Sequence, residues 1–193
     1  MNREMNRTPR VVALTGFMGA GKTTVARALA RRLSCDLLDL DLAIETETGR
    51  TPRSIIDEDG EPRFRELETQ TLRDALRRAP HTDAHADTAG LSTSINLIIA
   101  LGGGTWTLEQ NRDILRQHDA FTVWLDAPFD LCWRRILQQA EQQSRPLARD
   151  CEQARRLYEQ RRPVYSLARL HLPVEEAASP QLLARRIAEA LSS

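Results

Sequence analysis

The sequence predicts a three-layer α/β/α fold built on a five-stranded parallel sheet, and three observations predict it. Five short apolar runs alternate with segments whose apolar residues recur at helical spacing, as in parallel strands joined by crossover helices. The first run, Val11-Val12-Ala13-Leu14, passes into the glycine-rich stretch Gly16-Phe17-Met18-Gly19-Ala20-Gly21-Lys22-Thr23-Thr24 and then into a helical pattern. The second and third runs end in Asp39 and Asp41 and in Gly102-Gly103-Gly104, and open α/β sheets bind ligands beyond the carboxyl ends of their strands. At 193 residues the chain is read as one domain, 1–193, with enough length to bury a single core.

The glycine-rich stretch fits the phosphate-loop spacing G-x-x-x-x-G-K-[ST] at Gly16, Gly21, Lys22 and Thr23. Its glycines allow backbone N–H groups to turn inward around anionic oxygens, and the helix that follows aims its positive end at the same place. Gly19, Ala20, Gly21, Lys22, Thr23 and Thr24 are therefore expected around an ATP triphosphate, with Lys22 reaching the β- and γ-phosphates and Thr23 ligating Mg²⁺.

Residues 1–9 are polar and read as a mobile leader. Arg3, Arg7 and Arg10 before an apolar run imitate a secretory signal, but that run is the strand entering the phosphate loop, interrupted at Gly16. After the first helix, Cys35 to Asp41 reads as a strand on which Asp39 and Asp41 share a face, one suited to Mg²⁺ through water and the other to a substrate proton. Leu42–Thr48 is a short helix closed by Gly49; Thr51-Pro52 caps the next, and Glu61–Arg78 is long and amphipathic. In that helix Arg65 and Glu68 are three apart, which by spacing alone predicts a surface ion pair.

Residues 79–96 are rich in Pro, His, Thr, Asp and Ser and read as a surface-loop insertion. Ile95–Leu101 is the third strand; the three glycines after it permit a ligand to approach the backbone closely. Leu108–Gln117 is a helix, Phe121–Leu125 the fourth strand, and a helix from Phe129 carries Arg134 and Arg135. Residues 138–150 are polar and read as a mobile lid. Cys151–Arg162 is a basic helix interrupted by Pro163, Leu170–Val174 the fifth strand, and Ser179-Pro180 caps the last helix.

Lys+Arg and Asp+Glu balance at 27 each, so no global field favours nucleic acid or an anionic membrane, and no apolar run nears the roughly 20 residues that span a bilayer. Three cysteines without metal-type spacing suit reduced thiols in a soluble, cytoplasmic protein.

The motifs, taken in order, resemble the shikimate kinases, a family in the nucleoside-monophosphate-kinase-like group of phosphate-loop enzymes. The likeness runs from about Val11 to Leu191. It is carried by the phosphate loop, Leu38-Asp39-Leu40-Asp41, Gly60-Glu61 leading into Phe64-Arg65, Gly102-Gly103-Gly104, Arg145-Pro146-Leu147, and Arg161-Arg162-Pro163-Val164-Tyr165. The resemblance implies a monomer that transfers phosphate from ATP to the 3-hydroxyl of shikimate with Mg²⁺, and a substrate-binding subregion at 42–78. It implies that Asp41 binds the substrate hydroxyls and serves as base, that Asp39 lies on the Mg²⁺ side with Thr23, and that Arg65 and Arg161 clamp the substrate carboxylate. Gly103, Gly104 and Glu68 become further substrate contacts, Arg145 a lid residue over the transferring phosphoryl group, and Arg135 (or its neighbour Arg134) the adenine contact. The residues leave two other functions open: phosphorylation of another small acid such as gluconate, and nucleotide binding without catalysis.

Overall fold

The computed structural model describes residues 10–79, 95–142 and 151–192. The leader 1–9, most of the 79–96 insertion, and residues 143–150 of the expected lid, Arg145 among them, lie outside the described residues.

β1 (Val11–Thr15) is buried at every position, as a short apolar strand must be at the centre of a sheet covered on both faces. Around it run β2 (Asp36–Asp39), β3 (Leu97–Ala100), β4 (Phe121–Asp126) and β5 (Leu170–Pro173), all parallel, in the order β2-β3-β1-β4-β5. The register sets Leu14 and Asp39 level with Ala100, and Thr15 level with Trp124. The phosphate loop, the acidic residues and the triple glycine therefore emerge side by side. They lie where the chain, having placed β2 and β3 on one side of β1, crosses to place β4 on the other, which is the switch point of an open α/β sheet.

The helices are α1 (Lys22–Leu33), α2 (Leu40–Thr48), α3 (Pro52–Asp59), α4 (Glu61–Arg78), α5 (Glu109–Gln117), α6 (Phe129–Gln142), α7 (Cys151–Tyr165) and α8 (Pro180–Leu191). α1 packs on α8, and α2, α3 and α4 pack on one another beside β2. The predicted caps are in place: Thr51 Oγ1 accepts the Ser54 N–H, and Ser179 Oγ that of Leu182, each at 3.2 Å. Phe17, Leu29, Ile98, Ile99, Val123 and Ile187 lie in the core. Among the described residues, no helix is long and apolar enough to cross a membrane.

Two expectations are corrected and one stretch is added. β2 stops at Asp39, whose side chain caps α2, so Asp41 sits in the first turn of a helix and not on a strand. The two acids therefore do not share a strand face. Pro163 does not end α7, which continues to Tyr165; the hydrogen bond that its ring forfeits is to the carbonyl of Glu159, an exposed residue near the helix end. Residues Thr105–Thr107, unassigned from the sequence, form a 3₁₀ turn.

Candidate active site

The loop from Gly16 to Gly21 is closed by the Ala20 N–H donating to the Phe17 carbonyl at 3.1 Å. Gly19 has φ +77°, and a Cβ there would stand 2.5 Å from the Cys132 carbonyl oxygen, so both the backbone and the space require glycine. Lys22 folds back and donates to the carbonyls of Gly16 and Phe17, at 2.9 and 3.0 Å. Burial pushes its pKa down; Asp41, Cys132 and Asp39 oppose that shift, while Arg161 adds to it. The ammonium is held at the loop by two carbonyls. Thr23 and Thr24 open α1 and are exposed, while Ala20 is buried beneath the loop.

The Thr23 hydroxyl donates to Asp39 Oδ2 at 2.5 Å, and Asp39 Oδ1 accepts the Leu42 N–H at 3.2 Å. This hydroxyl and carboxylate are hard oxygen donors of the kind a small divalent cation takes alongside phosphate oxygens and water. Among the described residues, no group of three or more His, Cys, Asp or Glu is placed to hold a metal ion, so an all-protein cage is absent there. Asp41, in the first turn of the helix that Asp39 caps, has its carboxyl raised to about 6. Burial is the first cause, the charges of Glu68 and Asp39 add to it, and Lys22 and Arg65 counter it. Such a carboxylate holds a proton far more readily than a solvated one near neutral pH.

Arg65 and Glu68 overturn the surface-pair expectation. Glu68 is buried, its side chain 1% exposed, and it pairs with Arg65 Nη1 from inside. From the solvent side Glu61 Oε1 accepts from Arg65 Nη2 at 2.6 Å and from Nε at 3.1 Å. The triple glycine packs on this group: a Cβ at Gly104 would stand 2.5 Å from the Arg65 guanidinium, and one at Gly102 would meet Glu68 Oε1 at 2.5 Å and Asp41 Oδ1 at 2.7 Å. Only backbone without side chains leaves room for two acids and a guanidinium.

Arg161, on α7, donates from Nη1 to the Gly103 carbonyl at 3.2 Å, and the buried Tyr165 hydroxyl donates to the same oxygen at 2.5 Å. Burial raises the Tyr165 phenol to about 12, with Arg161 opposing, so it stays a donor at physiological pH. Arg65 and Arg161 thus meet over consecutive glycines. On α6 the two neighbouring arginines point in different directions. Arg135 Nη1 donates to the carbonyls of Gly19 and Ala20, at 3.2 and 3.3 Å, while Arg134 turns away to pair with Glu176. Glu61, Thr105 and Tyr165 were not given roles from the sequence. The helical spacing of Glu61 to Arg65 and of Arg161 to Tyr165 is a faint signal for two of them, and Thr105 has only its place after the glycines.

The family model described as shikimate kinase matches residues 18–192. The chain belongs to that family. Curated relatives of the shikimate kinase family include proteins named shikimate kinase from Cereibacter sphaeroides, 38% identical over 98% of this chain and 86% of the relative, and from Nostoc punctiforme, 36% identical over 92% and 88%. A solved shikimate kinase from Acinetobacter baumannii, in complex with shikimate, superposes with a TM-score of 0.79 at 32% identity, covering 96% of this chain and 94% of that one. A gluconokinase from Sinorhizobium meliloti, at 13% identity and a TM-score of 0.54, shares the fold alone. Membership in the shikimate kinase family makes the chain an ATP-dependent kinase of an alcohol group.

Proposed function

We propose that this enzyme transfers the γ-phosphoryl group of ATP to the 3-hydroxyl of shikimate, giving shikimate 3-phosphate and ADP. The observation that carries the proposal is the carboxyl end of the sheet, where a phosphate cradle lies beside a half-buried acid and two arginines over adjacent glycines. A cyclic acid with several hydroxyls suits that set: Arg65 and Arg161 take its carboxylate, Gly103, Gly104 and Glu68 line its place, and Asp41 takes the hydroxyls.

Phosphoryl transfer through a loose transition state asks mainly for positioning and charge stabilisation. Gly19, Ala20, Gly21, Thr23 and Thr24 hold the triphosphate by backbone and hydroxyl groups, and Lys22 unfolds from the loop carbonyls onto the β- and γ-phosphates. Asp41 accepts the proton of the 3-hydroxyl as its oxygen bonds to the γ-phosphorus; the bond from that phosphorus to the bridging oxygen breaks, and ADP leaves. Thr23 and Asp39 are the residues that would hold Mg²⁺, which would supply positive charge to the phosphates. Arg135 packs beside the nucleotide, at the loop carbonyls it already bonds. The free cysteines fit a reducing cytoplasm, and the neutral charge balance gives no general attraction to nucleic acid or an anionic membrane, which leaves ATP and shikimate as the partners.

The test is ADP release in a coupled assay with MgATP, alone, with shikimate, and with gluconate. Release that depends on shikimate and not on gluconate is expected. Equal release with both acids, or a rate indifferent to either, overturns the assignment.

A further inference from the structure

Arg65 depends on a buried acid, and that acid depends on a hydroxyl. Thr105 is fully buried in the 3₁₀ turn that follows the triple glycine, and its Oγ1 donates to Glu68 Oε1. Glu68 Oε2 accepts from Arg65 Nη1. Behind Thr105, its carbonyl accepts from the Asn111 side-chain amide of α5 at 3.0 Å, and its N–H donates to the Gly102 carbonyl at 3.3 Å. A chain of donors therefore runs from α5 through the turn and the buried carboxylate to the guanidinium.

We infer that Thr105 is a positioning residue for the substrate carboxylate: it fixes Glu68, and through Glu68 it orients Arg65. The inference rests on the shikimate reading above. An arginine has five N–H donors in a rigid plane. Three are engaged here, Nε and one on Nη2 by Glu61 and one on Nη1 by Glu68, which leaves one on each terminal nitrogen. Where those two point, and so how they meet a carboxylate, depends on the plane of the guanidinium being held. Glu61 is 59% exposed and its grip is screened by water, whereas Glu68 is walled in, so the inner contact sets the plane.

Glu68 is itself held by what bonds its second oxygen. That oxygen is sealed from water, and a valine at 105 would leave it facing a methyl group; a buried acceptor without a donor is unfavourable enough to drive the carboxylate to another rotamer. Threonine suits the anchor because its branched Cβ restricts χ1 and its backbone is bonded on both sides. Lys22 and the phosphate loop are not part of this chain of bonds, so the change falls on the shikimate side; Asp41 shares the space over Gly102 with Glu68 and belongs to that side, so kcat is measured beside the two KM values.

The test compares Thr105→Val, nearly isosteric, with Thr105→Ser, which restores the hydroxyl. Shikimate and ATP KM values, kcat, and shikimate affinity by calorimetry are measured on proteins whose melting curves confirm folding. Thr105→Val is expected to raise the shikimate KM and dissociation constant about tenfold with ATP KM within about twofold, and Thr105→Ser to return both to within about twofold. In a double-mutant cycle, Thr105→Val on a Glu68→Gln background is expected to add little, because the route through Glu68 is already broken. Should Thr105→Val not fold, Thr105→Ala carries the same comparison. A shikimate KM unchanged in the valine variant, a rise shared equally by both substrates, or no rescue by serine overturns the positioning role while the function stands. A wild-type protein that neither binds shikimate nor releases ADP with it overturns the function, and this role with it.

Discussion

Asp39 holds Thr23 with one carboxylate oxygen and caps helix α2 with the other. One side chain therefore ties the hydroxyl at the mouth of the phosphate loop to the helix that carries Asp41, and a change at 39 acts on both through different chemistry. Asparagine keeps a cap of nearly equal quality but loses the anionic oxygen; alanine loses both. Asp39→Asn and Asp39→Ala should each lower kcat by about a hundredfold. Only alanine should also destabilise the fold, by about 1 kcal/mol, and raise the shikimate KM as the first turn of α2 frays. Thermal melts beside steady-state kinetics separate the two; equal melting curves would show that the cap is not what holds α2.

The raised carboxyl of Asp41 sets a pH signature. Its group titrates near 6 in the folded protein against 3.8 for the ordinary side chain, so kcat/KM should fall about tenfold per unit below pH 6. The folded state holds this proton more tightly than the unfolded one. The contribution to stability is therefore complete below about pH 4 and is lost as the pH rises towards 6. Asp41→Asn, which never ionises, should be inactive and yet about 3 kcal/mol more stable than wild type at pH 8, with the difference shrinking to near zero at pH 4. Denaturant melts at the two pH values measure it, and an asparagine variant that is less stable at pH 8 contradicts the burial argument.

Arg65→Ala removes the proposed carboxylate clamp and strands Glu68 at once. The shikimate KM should rise about a hundredfold with little change in the ATP KM, and stability should fall by about 3 kcal/mol because a buried charge loses its partner. Adding Glu68→Gln should restore most of the stability and none of the affinity. Recovery of both together would assign Arg65 to the fold alone.

Arg134 and Arg135 are chain neighbours with opposite outlooks, one to Glu176 and one to the phosphate loop. Arg135→Ala should raise the ATP KM about tenfold, whereas Arg134→Ala, which breaks an exposed pair, should leave it within about twofold. Nucleotide titrations by calorimetry check both, and equal effects would mean that Arg135 does not attend the nucleotide.

Much of the fold and part of the site were legible in the residues because the signals are local. The phosphate loop needs its glycines, lysine and threonine at fixed spacing, caps such as Thr51 and Ser179 announce themselves, and strand and helix periods differ. The turn at Asp39 escaped because a strand end and a helix first turn both favour aspartate, and the cap that distinguishes them is a hydrogen bond three residues on. Pro163 was overread as a break because a proline near a helix end removes only one bond.

By itself the sequence determined the order of elements, the phosphate cradle and the set of charged residues available to meet a small acid, since each depends on neighbours along the chain. Only the tertiary structure decided that Glu68 is buried beneath Arg65, that Thr105 holds it, and that Arg135 rather than Arg134 turns to the loop. Consecutive helical residues point about 100° apart, and which of them faces inward depends on the elements that pack against the helix. Those elements come from distant parts of the chain, so the spacing of Arg65 and Glu68 could not distinguish a solvated pair from a walled one.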